Sequence, residues 1–406
     1  MLNLALKNII RKKIHTTMTL VAIICGVTGI ILAGGWINDI YVQLGEALIH
    51  SQTGHLQIYK QGYFSSGARS PEKYLITQPQ NIKKQIIKEE GVEKFESMMA
   101  RLNFSGLLNN GRSDLPIIVE GVQPDMEAKL SRSVLITDGR RFTNDDPFGI
   151  MLGKGVAGAL KLKPGDHVTL LTNTLEGALN SLDFEVIGIF QSFSNDYDAR
   201  AVKISLSAAQ ELLGTTGVNA LVILLNKTED TDIIATRLAT SLNSTELEVK
   251  TWVELNDFYE KTVELYKGQF GVLQLIILVM VLLSVANSVN MSIFERVGEF
   301  GTMMALGNRS NQVFLLILSE SFLLGIIGSS LGVGAGILLA LAISAIGIPM
   351  PPPPNADLGY IAQIQIVPSV LLMAFIIGLS ATVLASLLPA RHVSRIKVVD
   401  ALRQNL

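Results

Sequence analysis

Four uninterrupted apolar blocks, at Ile14–Ile37, Phe270–Ile293, Val313–Ile348 and Pro368–Leu388, decide what this chain can fold into. A hydrocarbon core of ~30 Å is crossed by roughly 20 helical residues, and each block reaches that length. None contains Lys or Arg, and a single acid, Glu320, lies inside one of them. Backbone amides find no water in lipid, so such blocks must satisfy their hydrogen bonds internally, as helices. A composition of 49% hydrophobic and 17% charged residues over 406 positions is too apolar for an ordinary soluble protein. The polar stretch between the first two blocks, about 38–269, reads as a folded domain. The expected fold is a helical membrane protein of four transmembrane helices, with a large α+β domain inserted between the first and second spans.

Lys and Arg in short flanks set orientation. Lys7, Arg11, Lys12 and Lys13 precede the first block, Arg296 and Arg309 lie between the second and third, and Arg391, Arg395, Lys397 and Arg403 follow the fourth. The loop 348–367 has none. Both termini and the 294–312 segment are therefore expected in the cytosol, with the large domain outside. The net charge of −2 hides a basic inner face and an acidic exterior, which argues against nucleic acid as a partner. The first block is longer than a signal-peptide core, so it reads as a span. Cys25, the only cysteine, is expected to be a small buried apolar residue, and it excludes intramolecular disulfides.

The resulting layout is a cytosolic amphipathic helix 1–13, spans at 14–37, 270–293, 313–347 and 368–389, the outer domain 38–269, a cytosolic segment 294–312, an outer loop 348–367 and a tail 390–406. Helical spacing at Ile40, Leu44 and Leu48 carries the first span outward, and Trp252, Leu255 and Tyr266 lead back into the second. Two stalk helices, about 38–50 and 252–269, follow. Between them strand-like runs fall at Gly54–Tyr59, Glu96–Leu108, Pro116–Gly121, His167–Thr172, Asp183–Phe190, Ala201–Ile204 and Val218–Leu225. Helical patterns fall at Asn81–Glu90, Lys154–Leu160, Ser207–Leu213 and Asp230–Leu242. In the third block Gly328, Gly332 and Gly336 repeat every fourth position, a pattern that lets helix backbones approach closely. Pro351–Pro354 reads as a stiff polyproline spacer.

Chemistry for an enzyme is missing. Gly153-Lys154 is followed by Gly155, and no phosphate-loop spacing precedes it. Gly328-Ser-Ser-Leu-Gly332 matches a nucleophile elbow in letters only, since it lies in a membrane helix. His50 and His55 are the only close histidines, without the pattern of a metal site, and they are expected on the stalk and strand surface. No catalytic residue, metal site or bound cofactor is expected, and substrate-binding residues are not assigned. Glu320, as the lone intramembrane acid, is expected to pair or face an interface near the cytosolic surface.

The segment Phe294–Arg309 is too short to be a domain but suits a docking element. Its Glu295-Arg296, Glu299, Gly301 and Ala305-Leu306-Gly307 are similar to the Glu-Arg-x-x-Glu-Ile-Gly…Ala-Leu-Gly coupling segment of the MacB/FtsX-type ABC transporter permeases. Leu4–Lys13, Leu388-Pro-Ala-Arg391, Val399–Arg403, Asp138–Phe142, Leu162–Asp166 and Phe184–Gly188 resemble other signatures of the family. Gln52–Tyr59 looks like its lipoprotein-releasing LolC/LolE-like branch. Two departures stand out: Gly298 occupies a position where the family often has Lys or Arg, and Thr172–Asp183 lacks a proline-rich hook.

The resemblance implies a bacterial inner-membrane permease with a periplasmic core domain and no ATPase of its own. ATP and Mg would be bound by a separate cytosolic ABC ATPase that docks on the coupling segment. Glu295, Arg296 and Glu299 would contact that partner, while Gly301, Ala305, Leu306 and Gly307 shape the segment and its turn. The other implied partners are a second permease copy or paralogue, lipophilic cargo such as lipoproteins, and a periplasmic chaperone or adaptor. Two alternative functions remain open: a MacB-like export pump for peptides or amphiphiles, and an FtsX-like scaffold regulating cell-wall hydrolases.

Overall fold

Helices α1 (Lys13–Leu48), α7 (Asp257–Phe294), α9 (Ser310–Ile346) and α10 (Pro368–Val393) carry the four apolar blocks in this computed structural model. All four are long and apolar enough to cross a membrane. The structure describes residues 13–66, 74–242, 246–351 and 359–394. The expected N-terminal amphipathic helix, apart from Lys13, lies outside the described residues, as do Pro352–Pro354 and the tail motif Val399–Arg403. Pro368 starts α10, where its missing N–H costs nothing. Arg391 and His392 close that helix beside its exposed carbonyls, where positive charge is favoured.

The chain divides into two compact units. The first holds Met1–Val42, Thr262–Met350 and Ile361–Leu406. Its core gathers Ile23, Val27 and Ile31 of α1, Val281, Val285 and Val289 of α7, Leu316 and Ile317 of α9 and Ala381 and Ala385 of α10. The α1 residues recur every fourth position, so one face of that helix is inward. Cys25 falls on another face and is exposed, which corrects the expectation of burial. Asp39 is buried and accepts hydrogen bonds from the Gln363 backbone amide (2.9 Å) and Gln365 Nε2 (3.3 Å).

The second unit, Gln43–Lys261 with Pro351–Tyr360, contains a mixed ten-stranded sheet. Its strands are β1 (Leu56–Lys60), β2 (Phe95–Asn109), β3 (Asp114–Val122), β4 (Leu135–Gly139), β5 (Gly149–Gly153), β6 (His167–Asn173), β7 (Leu179–Gln191), β8 (Ala201–Ser205), β9 (Ala220–Leu225) and β10 (Leu247–Thr251). They run in the order β10-β1-β9-β2-β3-β8-β5-β7-β4, and β6 pairs with β2 and β7. The 15-residue β2 is shared between two lobes. Its first half pairs with β9 (Met98 opposite Ile223) and its second with β3 (Phe104 opposite Val119).

Each lobe has its own core. Leu56, Ile58, Ile86, Ile223, Leu238 and Leu242 fill one, under α2 (Pro79–Glu90) and α6 (Thr231–Leu242). Leu102, Val119, Ile150, Leu170, Phe184 and Val202 anchor the other, with α4 (Lys154–Leu160) and α5 (Leu206–Leu213). Ser205 caps α5 by accepting from the Ala208 amide, which defines where the helix starts. A further helix, α3 (Pro124–Leu130), follows β3. Strands β4, β5 and β10 and helix α3 have no counterpart in the sequence reading. Strand β5 reads Gly-Ile-Met-Leu-Gly, a buried five-residue run too short to show alternation.

Candidate coupling site

Between α7 and α9 lies α8 (Val297–Ala305). Val297, Phe300 and Gly301 are buried at helical spacing, and Gly298 joins them. Phe300 is fully buried in the core that holds Val313, Leu316 and Ile317. The opposite face is open: Glu295, Glu299, Thr302 and Ala305 are exposed, and Leu306 is 83% exposed.

The helix ends in a Schellman turn. The Asn308 amide reaches Met303 O (3.1 Å), the Gly307 amide reaches Met304 O (3.1 Å), and Gly307 has φ of +101°. A side chain at 307 would be strained, which gives the Ala305-Leu306-Gly307 run its physical meaning. Gln312 Oε1 then accepts from the Arg309 amide (2.9 Å) and starts α9.

Arg296 turns inward. Its Nη1 donates to Glu320 Oε2 (2.7 Å), its Nη2 to Glu320 Oε1 (3.2 Å) and its Nε to Glu299 Oε2 (3.2 Å). The guanidinium lies 4.8 Å from the centre of the Phe300 ring, and the residue is only 6% exposed. The structure therefore brings Arg296, Glu299 and Glu320 together and leaves Glu295, Ala305 and Leu306 facing out. The expectation grouped Arg296 with Glu295 and Glu299 as outward contacts; its side chain is instead engaged inside the chain. A signal for this existed, because a lone membrane acid needs a cation and Arg296 is one of two basic residues between the second and third spans.

The glycine run of α9 faces α1. A methyl group at Gly328 would lie 3.0 Å from Ile23, at Gly332 2.8 Å from Val27, and at Gly336 2.9 Å from Ile31. Thr28 Oγ1 donates to Gly332 O (3.1 Å), a contact that only near backbone approach allows. Gly325 meets α10 in the same way, 2.8 Å from Leu379.

Two constellations in the outer domain escaped the sequence reading. His55 is buried rather than on the surface: it directly precedes β1, its amide donates to Ile223 O of β9 (2.9 Å) and its carbonyl accepts from the Trp252 amide (3.0 Å). Its Nδ1 accepts from the Leu225 amide (3.0 Å), so Nε2 carries the proton and donates to Thr228 Oγ1 (3.0 Å). Thr228 in turn donates to Glu46 Oε1 (2.6 Å), whose other oxygen is 3.3 Å from His50 Nε2. Burial first, then the nearby His50, depress the His55 pKa to about 4. Among the described residues no group of three His, Cys, Asp or Glu is arranged for a metal.

The second constellation is a buried charge network. Glu127 accepts from Arg101 Nη2 (3.0 Å), from Ser131 Oγ (2.6 Å) and from Lys203 Nζ. Glu120 lies 3.8 Å from Arg101 and 3.7 Å from Lys203. Arg101 Nη1 also donates to Gln52 O (2.6 Å). Burial alone would raise the pKa of Glu127, but Lys203 and Arg101 outweigh it and hold it at about 2.

Residues 16–241 match the model of the MacB-like periplasmic core domain, and residues 271–398 match that of the FtsX-like permease C-terminal region. The chain is 25% identical over 314 residues to the lipoprotein-releasing system transmembrane protein LolC of Xylella fastidiosa, an alignment covering 74% of this chain and 76% of the relative. It is 22% identical to an uncharacterized ABC transporter permease of Methanocaldococcus jannaschii, over 66% of this chain and 65% of that one. It is 25% identical to the macrolide export ATP-binding/permease protein MacB of Hyphomonas neptunium, over 73% of this chain and 44% of that protein.

Proposed function

The chain belongs to the MacB/FtsX family of ABC transporter permeases, and on that premise we propose that it is a mechanical subunit through which a separate cytosolic ATPase moves an outer domain. The observation that carries this reading is α8, a nine-residue helix with an acidic and apolar exposed face, placed between two membrane-length helices. An amphipathic helix whose outer face offers Leu306 and Glu299 is suited to a groove on a partner. The family premise supports an ATPase as that partner, and a second permease as the companion that completes the complex. ATP and Mg belong to the ATPase. The basic flanks support cytosolic termini and a periplasmic outer domain.

The cargo we assign is lipophilic, with lipoproteins first. The similarity to LolC along most of both chains supports it, as does Gln52–Tyr59. Depleting the protein in its host is expected to leave lipoproteins in the inner membrane. Lipoproteins that still reach their destination, together with a drug-sensitive phenotype, would point to a MacB-like exporter instead. Replacing Glu299 and Leu306 together by Ala is expected to abolish transport while the chain still inserts. Normal transport by that variant would count against α8 as the docking element.

A further inference from the structure

We infer that Arg296 and Glu320 form the joint that binds α8 to α9, making Arg296 a positioning residue for force transmission and not a contact to the partner. The consequence for coupling rests on the function proposed above; the joint itself rests on geometry. Arg296 stands at the residue before α8, and its guanidinium reaches Glu320, which lies ten positions into α9. The two parallel hydrogen bonds, at 2.7 and 3.2 Å, fix both distance and orientation, which a single contact would not. Nearly all of the pair is shielded: side-chain exposure is 7% for Arg296 and 13% for Glu320.

The surroundings hold the pair from two further sides. Glu299 accepts the Nε proton, and Phe300 lies under the guanidinium while filling the helix core with its own ring. Breaking such a pair at the edge of a membrane strands one charge away from water, so separation of α8 from α9 is disfavoured. A displacement delivered to α8 therefore carries α9 with it. The next link is already close-packed, since Gly328, Gly332 and Gly336 of α9 sit on Ile23, Val27 and Ile31 of α1. Glu320 is thereby occupied as a structural counter-ion, which leaves the lone membrane acid without a role as a proton carrier.

The test is hydrogen exchange across 297–305 in the full chain in lipid nanodiscs, comparing wild type, R296K, R296Q, E320Q and the double variant R296Q/E320Q. Each neutralising single is expected to speed exchange of this segment on the order of tenfold or more. The double, with no stranded charge, is expected to exchange more slowly than either single, and R296K to fall between wild type and R296Q. Equal exchange in all five proteins, or single effects that simply add in the double, would overturn the joint. A parallel measurement follows ATPase activity that co-purifies in mild detergent. Retained co-purification with R296Q supports a positioning role, whereas its loss with unchanged exchange would assign Arg296 to the partner surface and overturn the inference. Absence of any co-purifying ATPase with wild type would instead defeat the proposed function and leave the exchange result to judge the joint.

Discussion

Glu127 and His55 put two titratable groups inside the outer domain, and both make the fold sensitive to acid. Glu127 is held at about 2 against an ordinary 4.5, so its contribution is complete above pH 4.5 and disappears as pH falls toward 2. His55 works from the other side. It stays neutral in the fold down to about pH 4, while the unfolded chain takes up the proton near 6.5, so stability falls as pH drops from 6.5 toward 4. Protonation would also set a hydrogen on Nδ1 against the Leu225 amide that donates to it. Unfolding of the full chain followed against pH is expected to show a loss beginning below about pH 6.5, and H55Q is expected to remove that first part. Lys203 supplies a separate check. K203M leaves Glu127 and Glu120 facing Arg101 alone in a buried site, with an expected cost of about 3–5 kcal/mol in denaturant unfolding. A loss below about 0.5 kcal/mol would mean the network is hydrated and weak.

Helix α9 owes its fit against α1 to what it lacks. At Gly332 a Cβ would stand 2.8 Å from Val27, inside any normal contact, whereas at Gly334 nothing lies within 4 Å. G332V is therefore expected to cost about 1–3 kcal/mol through overpacking, read as a lower melting temperature in detergent. G334A is expected to be neutral, or slightly stabilising through better helix propensity. The four-residue spacing told the same story in the sequence, because a repeat of small residues on one face has few other uses in lipid. Helix α8 was legible in a different way. Its alternation of Glu299 and Thr302 with Val297, Phe300 and Gly301 announces two faces, but not which partner each face has. Strand β5 was illegible: three buried apolar residues between two glycines carry no periodic signature, and their identity as a strand depends on β7 and β8 on either side.

For the complete molecule the decisive question is which side of the membrane holds α8. With Cys25 replaced by Ala, a cysteine at the exposed Leu306 is expected to resist a membrane-impermeant thiol reagent in intact cells and to react once the membrane is opened. Labelling in intact cells would invert the topology and separate α8 from any cytosolic ATPase. The orientation argument needs only Lys and Arg near the span ends, since those charges resist translocation whatever the outer domain contains.

Hydropathy and small-residue spacing are sums over neighbouring positions, and lipid acts on them directly. The four membrane-length helices, the polar domain between the first two and the glycine face could therefore be read along the chain. That Arg296 rather than Arg309 would turn onto Glu320, the burial of His55 beside β9 and the joining of Arg101, Glu127 and Lys203 could not. Each depends on residues far apart in the chain meeting in a site too dry to leave a charge or a ring nitrogen alone. Such meetings are set by how sheet and helices close on one another. A residue's type announces that it will need a partner; the closed fold supplies which one.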